Sequence, residues 1–222
     1  MRPASVKRRA RFQLTCLHQM DESTAHARRG ANRTTTRGPD RRIASFAALR
    51  EHWREDFVAN DSSLFRPGFI AVANYRFGVW AFGIENAVFR APLTLLYVLI
   101  YHFVKNVLGI ELHYKVRVGR RLRIGHQHGI VIHRDVQIGD DCLLRQNVTI
   151  GVSRLGVPRE EVPVIGDRVE IGAGAVVLSP ARIGDDVLIG PNTVVRRHVP
   201  PRCRVLPPDP VIQERRMHPA RA

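Results

Sequence analysis

Branched aliphatic residues recur every six positions through the second half of the chain, and this period is the strongest structural signal in the sequence. The repeating positions are Val118, Ile124, Ile132, Ile138, Leu144, Ile150, Ile165, Ile171, Val177, Ile183, Ile189 and Val195. Such a period belongs neither to an α-helix nor to a hairpin strand. It predicts a solenoid of short parallel strands, in which each hexad forms one flat side, the aliphatic side chain points inward, and three hexads close one coil.

The repeat is irregular at two places. The step from Ile124 to Ile132 is eight residues, and the step from Ile150 to Ile165 is fifteen. These steps predict two added residues in the first place and three in the second. Departures from a regular repeat are where a function is expected. The first of them contains His126 and His128.

Helical patterns precede the repeat. Ser45 is placed to cap a helix whose apolar positions run to Phe57 at three- and four-residue spacing. A second helix is expected over 68–88. Pro92 then opens an apolar run over 93–104, which polar residues interrupt before it reaches the ~20 residues that a membrane crossing needs. A buried or oligomer-contacting helix is therefore favoured over a membrane anchor.

Positive charge is concentrated at the start of the chain. The formal net charge is +15, and residues 1–42 contain eleven Lys and Arg against three acidic residues. This arm has little hydrophobic periodicity and cannot bury enough apolar surface to order itself, so we expect disorder. A targeting segment, or contact with nucleic acid or anionic lipid, is the alternative. The arm has no apolar core of the kind that a secretory signal requires.

The cysteines indicate a reducing compartment. Cys16, Cys142 and Cys203 are far apart and fit no metal or disulfide spacing. Cys142 falls on a repeat position and is expected in the core. These features predict structural thiols and a cytoplasmic location.

The residues Glu111-Leu112-His113, the first hexads and the turn Gly125-His126-Gln127-His128-Gly129-Ile130-Val131 together resemble the bacterial serine O-acetyltransferases, in a short form. These are hexapeptide-repeat acyltransferases, and the resemblance covers about residues 45–200. It implies a mainly β fold, with a left-handed parallel β-helix of hexapeptide repeats over 111–200. A small α-helical region over 43–110 would precede it, and a tail over 201–222 would follow. The handedness comes from the resemblance alone, because parallel crossovers are usually right-handed.

The resemblance also implies a catalytic pair, His126 as general base and Glu111 as the acid that orients it. Imidazole is suited to removing the proton of an aliphatic hydroxyl, which is a poor nucleophile. A carboxylate on the other ring nitrogen would fix the tautomer. The two residues are fifteen apart, close to one coil, and coils lie about 4.8 Å apart. The expected reaction is direct acetyl transfer from acetyl-CoA to L-serine, as in cysteine biosynthesis.

Acetyl-CoA in this family lies between neighbouring chains of a trimer, near the later coils. The implied contacts are Gly172, Ala173, Gly174 and Ala175 for the pantetheine, and Arg196 and Arg197 for the phosphates. We expect a homotrimer, with a pair of trimers as an alternative, and no metal. Docking to cysteine synthase is not expected, because the chain does not end in the isoleucine that the family uses for it. Nucleic acid is not an expected partner, and peripheral membrane contact is left open.

Departures from the family pattern leave the acceptor undecided. The Arg-His pair that precedes the return to the repeat falls on Glu161 and Val162, so the arginine expected to hold the carboxylate of serine is missing. Arg154, Arg159 and His128 are the candidates for substrate contact in its place. A sugar hydroxyl is the alternative acceptor, and a non-catalytic trimeric scaffold is the alternative to an enzyme. A zinc site built from His126, His128 and His133 is a weaker alternative, because the first two share one turn.

Overall fold

The computed structural model describes residues 43–211 except 155 and 157. The basic arm at 1–42 and the end of the tail at 212–222 lie outside the described residues. Three helices lead into a solenoid of short parallel strands. The helices are α1 (Phe46–Ala59), α2 (Pro67–Phe82) and α3 (Ala87–Asn106).

The first helix begins and ends where the sequence predicts. The Ser45 side chain accepts a hydrogen bond from the backbone N–H of Ala48 at 3.1 Å, and Asn60 caps the other end. The second helix ends at Phe82, earlier than the predicted 88, because the chain turns there and Asn86 caps a new helix.

The third helix corrects two predictions. It begins at Ala87, and Pro92 lies inside its second turn instead of opening it. A proline this close to the start interrupts little of the helical hydrogen bonding. The helix reaches 20 residues and is long and apolar enough to cross a membrane by length and composition alone. It is not buried in this chain, since among its side chains only Tyr97 and Val104 are fully covered.

The strands form three flat faces, each a ladder of parallel strands from successive coils. Face 1 contains β1 (Ile110–Leu112), β4 (Ile130–Ile132), β7 (Thr149–Gly151), β10 (Val176–Leu178) and β13 (Val194–Val195). Face 2 contains β2 (Arg117–Val118), β5 (Gln137–Ile138), β8 (Val164–Ile165) and β11 (Arg182–Ile183). Face 3 contains β3 (Arg123–Ile124), β6 (Leu143–Leu144), β9 (Glu170–Ile171), β12 (Leu188–Ile189) and β14 (Arg204–Val205). The strands thus run from Ile110 to Val205, around the predicted 111–200.

The predicted inward positions form the core of the solenoid. All twelve repeat residues from Val118 to Val195 are at most 3% exposed. A second inward row lies two residues earlier in most hexads, and the expected core residue Cys142 belongs to it. Burial raises the pKa of the Cys142 thiol to about 12, so this thiol stays protonated and unreactive near neutral pH.

The second insertion is larger than predicted. The strands β7 and β8 are consecutive and lie on adjacent faces, so the fifteen-residue step from Ile150 to Ile165 replaces a single hexad. Nine residues are therefore added there, and the predicted three was wrong. The extra residues leave the coil stack, pass through a short 3-10 turn at Arg159–Glu161 and return at β8. The length of the step alone does not show how many hexads the loop replaces, because a loop outside the stack can have any length.

A buried ion pair fixes the helices to the first coil. The guanidinium of Arg76 on α2 contacts the carboxylate of Asp56 on α1 at 2.8 Å. The same guanidinium donates to the carbonyl oxygens of Val118 and Gly119, and the hydroxyl of Tyr75 donates to the carbonyl of Val116. Each charge and carbonyl is therefore satisfied, as burial requires.

Candidate functional site

The turn that carries His126 lies where face 3 meets face 1, between β3 and β4. Its two added residues are accommodated by left-handed backbone at His128 (φ 75°) and Gly129 (φ 70°). The N–H of His128 donates to the carbonyl of Leu108 at 3.0 Å, and its own carbonyl accepts from the N–H of Asn147 at 2.9 Å. Backbone bonds therefore fix the turn, and both imidazole side chains remain exposed.

Glycine at 109 is required for this turn to sit against the helix end. Gly109 has φ 66°, and a Cβ there would lie 2.8 Å from the Cα of His128. Real Cβ atoms do not approach another carbon so closely. The position of the His126 turn is therefore set by backbone packed against backbone.

Glu111 lies near this turn but is held by other residues. It pairs with Val131 across β1 and β4, because the first coil is 20 residues long. Its carboxylate contacts the ammonium of Lys105 at 2.9 Å. Burial, followed by the charge of Glu111 and a hydrogen bond to it, raises the pKa of Tyr101 to about 12. Among the described residues no hydrogen bond or ion pair joins Glu111 to His126, so the catalytic pair stays a prediction.

The predicted cofactor segment shares this edge of the solenoid. Residues 172–175 connect β9 to β10 at the junction of faces 3 and 1, two coils beyond the His126 turn. The N–H of Gly174 donates to the carbonyl of Gln146, which occupies the intervening coil. A Cβ at Gly172 would lie 2.7 Å from the backbone nitrogen of Pro191. Coil packing alone therefore requires small residues here, with or without a ligand.

The predicted arginines lie at the other edge of face 1. Arg154 and Arg159 follow β7, and Arg196 and Arg197 follow β13, where face 1 meets face 2. All four are exposed. Arg159 contacts Asp135 at 2.8 Å. Burial alone would raise the pKa of Asp135, but the hydrogen bond and charge of Arg159 hold it below its ordinary value. A single chain thus does not bring these arginines to His126.

Three residues near the site were missed by sequence reasoning. Lys105 and Tyr101 contact Glu111, but nothing in their spacing predicts that α3 folds back onto β1. Gln146 lies in the coil next to the His126 turn, and its buried Oε1 has no hydrogen-bond partner within the described chain. Sequence reasoning could have found Gln146 only by aligning successive coils and asking which residue lies beside the His126 turn.

Neither a metal-binding cluster nor the cleft beside face 3 offers a better candidate site than this edge. No group of three or more His, Cys, Asp or Glu able to hold a metal occurs in 43–211 apart from the two undescribed positions. His133 lies on the far edge of face 1 from His126 and His128. A cleft of about 770 Å³ between α1 and face 3 is lined by four arginines and four acids. Their charges balance, so we assign no ligand to it.

Comparison with known sequences gives one consistent relationship. The family of bacterial transferase hexapeptide proteins, defined by six repeats, matches residues 163–197. Serine acetyltransferase of Mycobacterium tuberculosis is 37% identical over 128 residues, 58% of this chain and 56% of that protein. Serine acetyltransferase of Synechococcus elongatus is 34% identical over 140 residues, which are 63% of this chain and 54% of that protein. The chain thus spans little more than half the length of these relatives.

Solved structures agree with the sequence comparison. Serine acetyltransferase isoform 3 of Entamoeba histolytica, in complex with cysteine, superposes with a TM-score of 0.63 at 25% identity, covering 78% of this chain and 63% of that one. The soybean serine acetyltransferase apoenzyme superposes with a TM-score of 0.60 at 28% sequence identity, covering 72% of this chain and 66% of that one. The predicted resemblance is confirmed, and so is the predicted left-handed β-helix behind a small helical region.

Proposed function

We propose that this chain transfers the acetyl group of acetyl-CoA to the hydroxyl of L-serine, giving O-acetylserine and CoA for cysteine biosynthesis in the cytoplasm. The proposal rests on similarity to serine acetyltransferases along the solenoid. One structural observation carries it. An exposed histidine stands in a lengthened, rigid turn, in line with the small residues at 172–175 on the same edge.

His126 supplies the base in the proposed reaction. Its imidazole takes the hydroxyl proton as the serine oxygen attacks the thioester carbonyl. The new C–O bond forms, the C–S bond breaks, and the proton passes from the imidazolium to the departing thiolate. The ring is exposed, so the acceptor hydroxyl can reach it. Backbone fixation of the turn keeps the base in place, which is a large part of catalytic advantage.

The acceptor carboxylate needs a cation that position 161 does not provide. Glu161 has the wrong charge, and Val162 beside it is buried. Lys105 is the cation nearest to Glu111, and only one of its three ammonium protons is engaged by the observed contact. Arg154 and Arg159 are the alternative, if a neighbouring chain brings its far edge against the His126 edge.

A homotrimer would bring these two edges of neighbouring chains together. Arg196 and Arg197 form no ion pair with any described residue, and they lie on the far edge of face 1 from residues 172–175. Side-by-side chains would place these arginines of one chain next to the small residues of another. That geometry provides cations for the phosphates of CoA, and the small side chains let its pantetheine lie close to the backbone. Pairing of two trimers is a further possibility of the same kind.

The test is release of free thiol from acetyl-CoA by the full chain supplied with L-serine. We expect His126→Asn to lower the rate by about 10²–10⁴-fold, the usual contribution of a general base. His102→Gln is the matched control, because His102 is an exposed histidine of α3 and lies on neither edge of face 1. The control should turn over at the unmodified rate.

Three outcomes would overturn the proposal. Equal activity of both histidine variants would remove His126 from the mechanism. Release with sugars but not with serine would assign the enzyme to glycan modification, for which none of the relatives described above gives support. Silence with every acceptor would favour the scaffold.

A further inference from the structure

A row of large apolar side chains projects from the outer side of α3. We call it the apolar ridge, and it consists of Val88, Phe89, Leu95, Leu96, Leu99 and Phe103. These residues are between 47% and 78% exposed. Their spacing places them on one side of the helix, opposite the buried Tyr97 and Val104. Contiguous apolar surface of this kind marks a site of interaction.

Positive charge outweighs negative charge in the chain that carries the ridge. No acidic residue occurs from Asn86 to Ile110, Arg90 stands near the start of the helix, and Lys105 near its end is paired with Glu111. The whole chain carries +15, and eleven of its basic residues precede Ile43. A partner of the ridge must therefore be apolar at the contact and negatively charged around it. An anionic lipid surface meets both requirements.

We propose that the apolar ridge docks the protein on an anionic membrane surface, with α3 lying in the plane of the membrane. This inference does not depend on the proposed acetyl transfer. Two weak attachments, one apolar and one electrostatic, together give stable binding where either alone is marginal. The ridge supplies the first, and the basic residues supply the second.

Contacts along α3 favour lying on the membrane over crossing it. The hydroxyl of Tyr97 accepts a hydrogen bond from the N–H of Tyr114 at 3.0 Å, beside a stacked Phe82–Tyr114 pair 3.9 Å apart. Lys105 at the end of the helix holds Glu111. A membrane-spanning orientation would break all of these contacts, whereas docking in plane keeps them and buries only the exposed side.

Charge favours lipid over a second copy of the chain. Two copies that met through this ridge would bring together two chains that each carry a net charge of +15, and like charges oppose association. A leaflet that contains phosphatidylglycerol attracts the same charges instead.

The test is co-sedimentation of the full chain with vesicles of phosphatidylcholine that contain about 30% phosphatidylglycerol. The variant is Leu95→Gln, Leu99→Gln and Phe103→Gln together, since glutamine preserves helix formation. The matched control is Phe65→Gln, which removes another exposed aromatic residue outside α3. At high salt, where electrostatic attraction is screened, we expect the triple variant to bind about tenfold or more weakly than the unmodified chain and the control.

Three results would overturn the proposal. The unmodified chain could remain in the supernatant with these vesicles. The triple variant could bind as tightly as the control at high salt, which would assign binding to the basic arm alone. The triple substitution could lower the mass of the oligomer in solution, which would make the ridge a contact between subunits. Thermal unfolding of the triple variant should match that of the control, because the ridge is exposed in the folded chain.

Discussion

Two edges of the solenoid turn the chain with the same backbone conformation but with different side chains. At the charged corner, where face 2 meets face 3, the left-handed residues alternate in charge: Arg121, Asp141, Arg168, Asp186 and Arg202. At the neutral corner, where face 3 meets face 1, they are histidine, asparagine or glycine and include no carboxylate or guanidinium: His128, Gly129, Asn147, Gly174 and Asn192. Asparagine and glycine adopt this conformation readily, whereas arginine does so only when the surroundings hold it.

The charged corner leaves little for another molecule to bind. The guanidinium of Arg121 contacts Asp141 at 2.7 Å, and that of Arg168 contacts Asp186 at 2.7 Å. Each pair joins one coil to the next. At the neutral corner the first coil is lengthened and His126 is exposed. The candidate site therefore differs from the charged corner mainly because it has an exposed side chain that another molecule can contact. Both corners are polar.

The largest expected effect is on the support beneath the charged corner. Asp56→Ala leaves the buried Arg76 without its counter-ion, although Arg76 still holds the carbonyls of Val118 and Gly119, where this corner begins. Leaving a buried charge unpaired costs about 3–5 kcal/mol. Urea unfolding should show that loss, and Glu85→Ala, which removes an exposed acid, should show almost none. A loss below about 1 kcal/mol would mean that Arg76 finds other compensation.

The next effect is on the neutral corner. Gly109→Ala forces a Cβ against the Cα of His128 at a residue with φ 66°, and should cost about 1–3 kcal/mol and lower turnover. Gly156→Ala is the matched control, because Gly156 also has positive φ but has nothing within 4 Å of the added Cβ. The control measures the cost of a Cβ at positive φ without the steric clash. Equal losses of unfolding free energy in the two variants would show that the close approach to His128 is unimportant.

A smaller effect is expected at Glu111. Glu111→Gln removes the charge that Lys105 and Tyr101 now contact. If Glu111 orients His126, as the resemblance implies, kcat should fall by about tenfold, equivalent to about 1.4 kcal/mol, with the KM for acetyl-CoA unchanged. Lys105→Met should instead raise the KM for serine. An unaltered rate in Glu111→Gln would mean that Glu111 has no part in catalysis and only holds α3 against β1.

The parts of this structure that could be predicted are those that repeat. The twelve inward repeat positions from Val118 to Val195 follow from the period, whereas the second inward row is visible only in the structure. The cap at Ser45 follows from local chemistry. The partners of Glu111 and the edge that carries Arg159 could not be predicted, because they depend on how α3 folds back and where the inserted loop leaves the stack. The resemblance directed attention to His126, but only the stacked coils place it in line with Gln146 and Gly174.

The smallest effect separates the two corners by pH. Asp141→Asn keeps a residue that tolerates the left-handed backbone but removes the charge that pairs with Arg121. The hydrogen bond from Arg121 holds the pKa of Asp141 below its ordinary value of 3.8. The pair therefore stabilises the fold above that value, and the stabilisation is lost as pH falls through the lowered pKa.

Because the Arg121–Asp141 pair is largely exposed, its contribution should be below about 1 kcal/mol near neutral pH. Unfolding of Asp141→Asn and the unmodified chain should differ at neutral pH, converge in acid, and differ less at high salt. Asp209→Asn, which removes an acid without an ion pair among the described residues, is the control. A difference that is the same at all pH values would mean that Asp141 acts through its backbone turn, as the asparagines of the neutral corner do, and the two corners would then be stabilised alike.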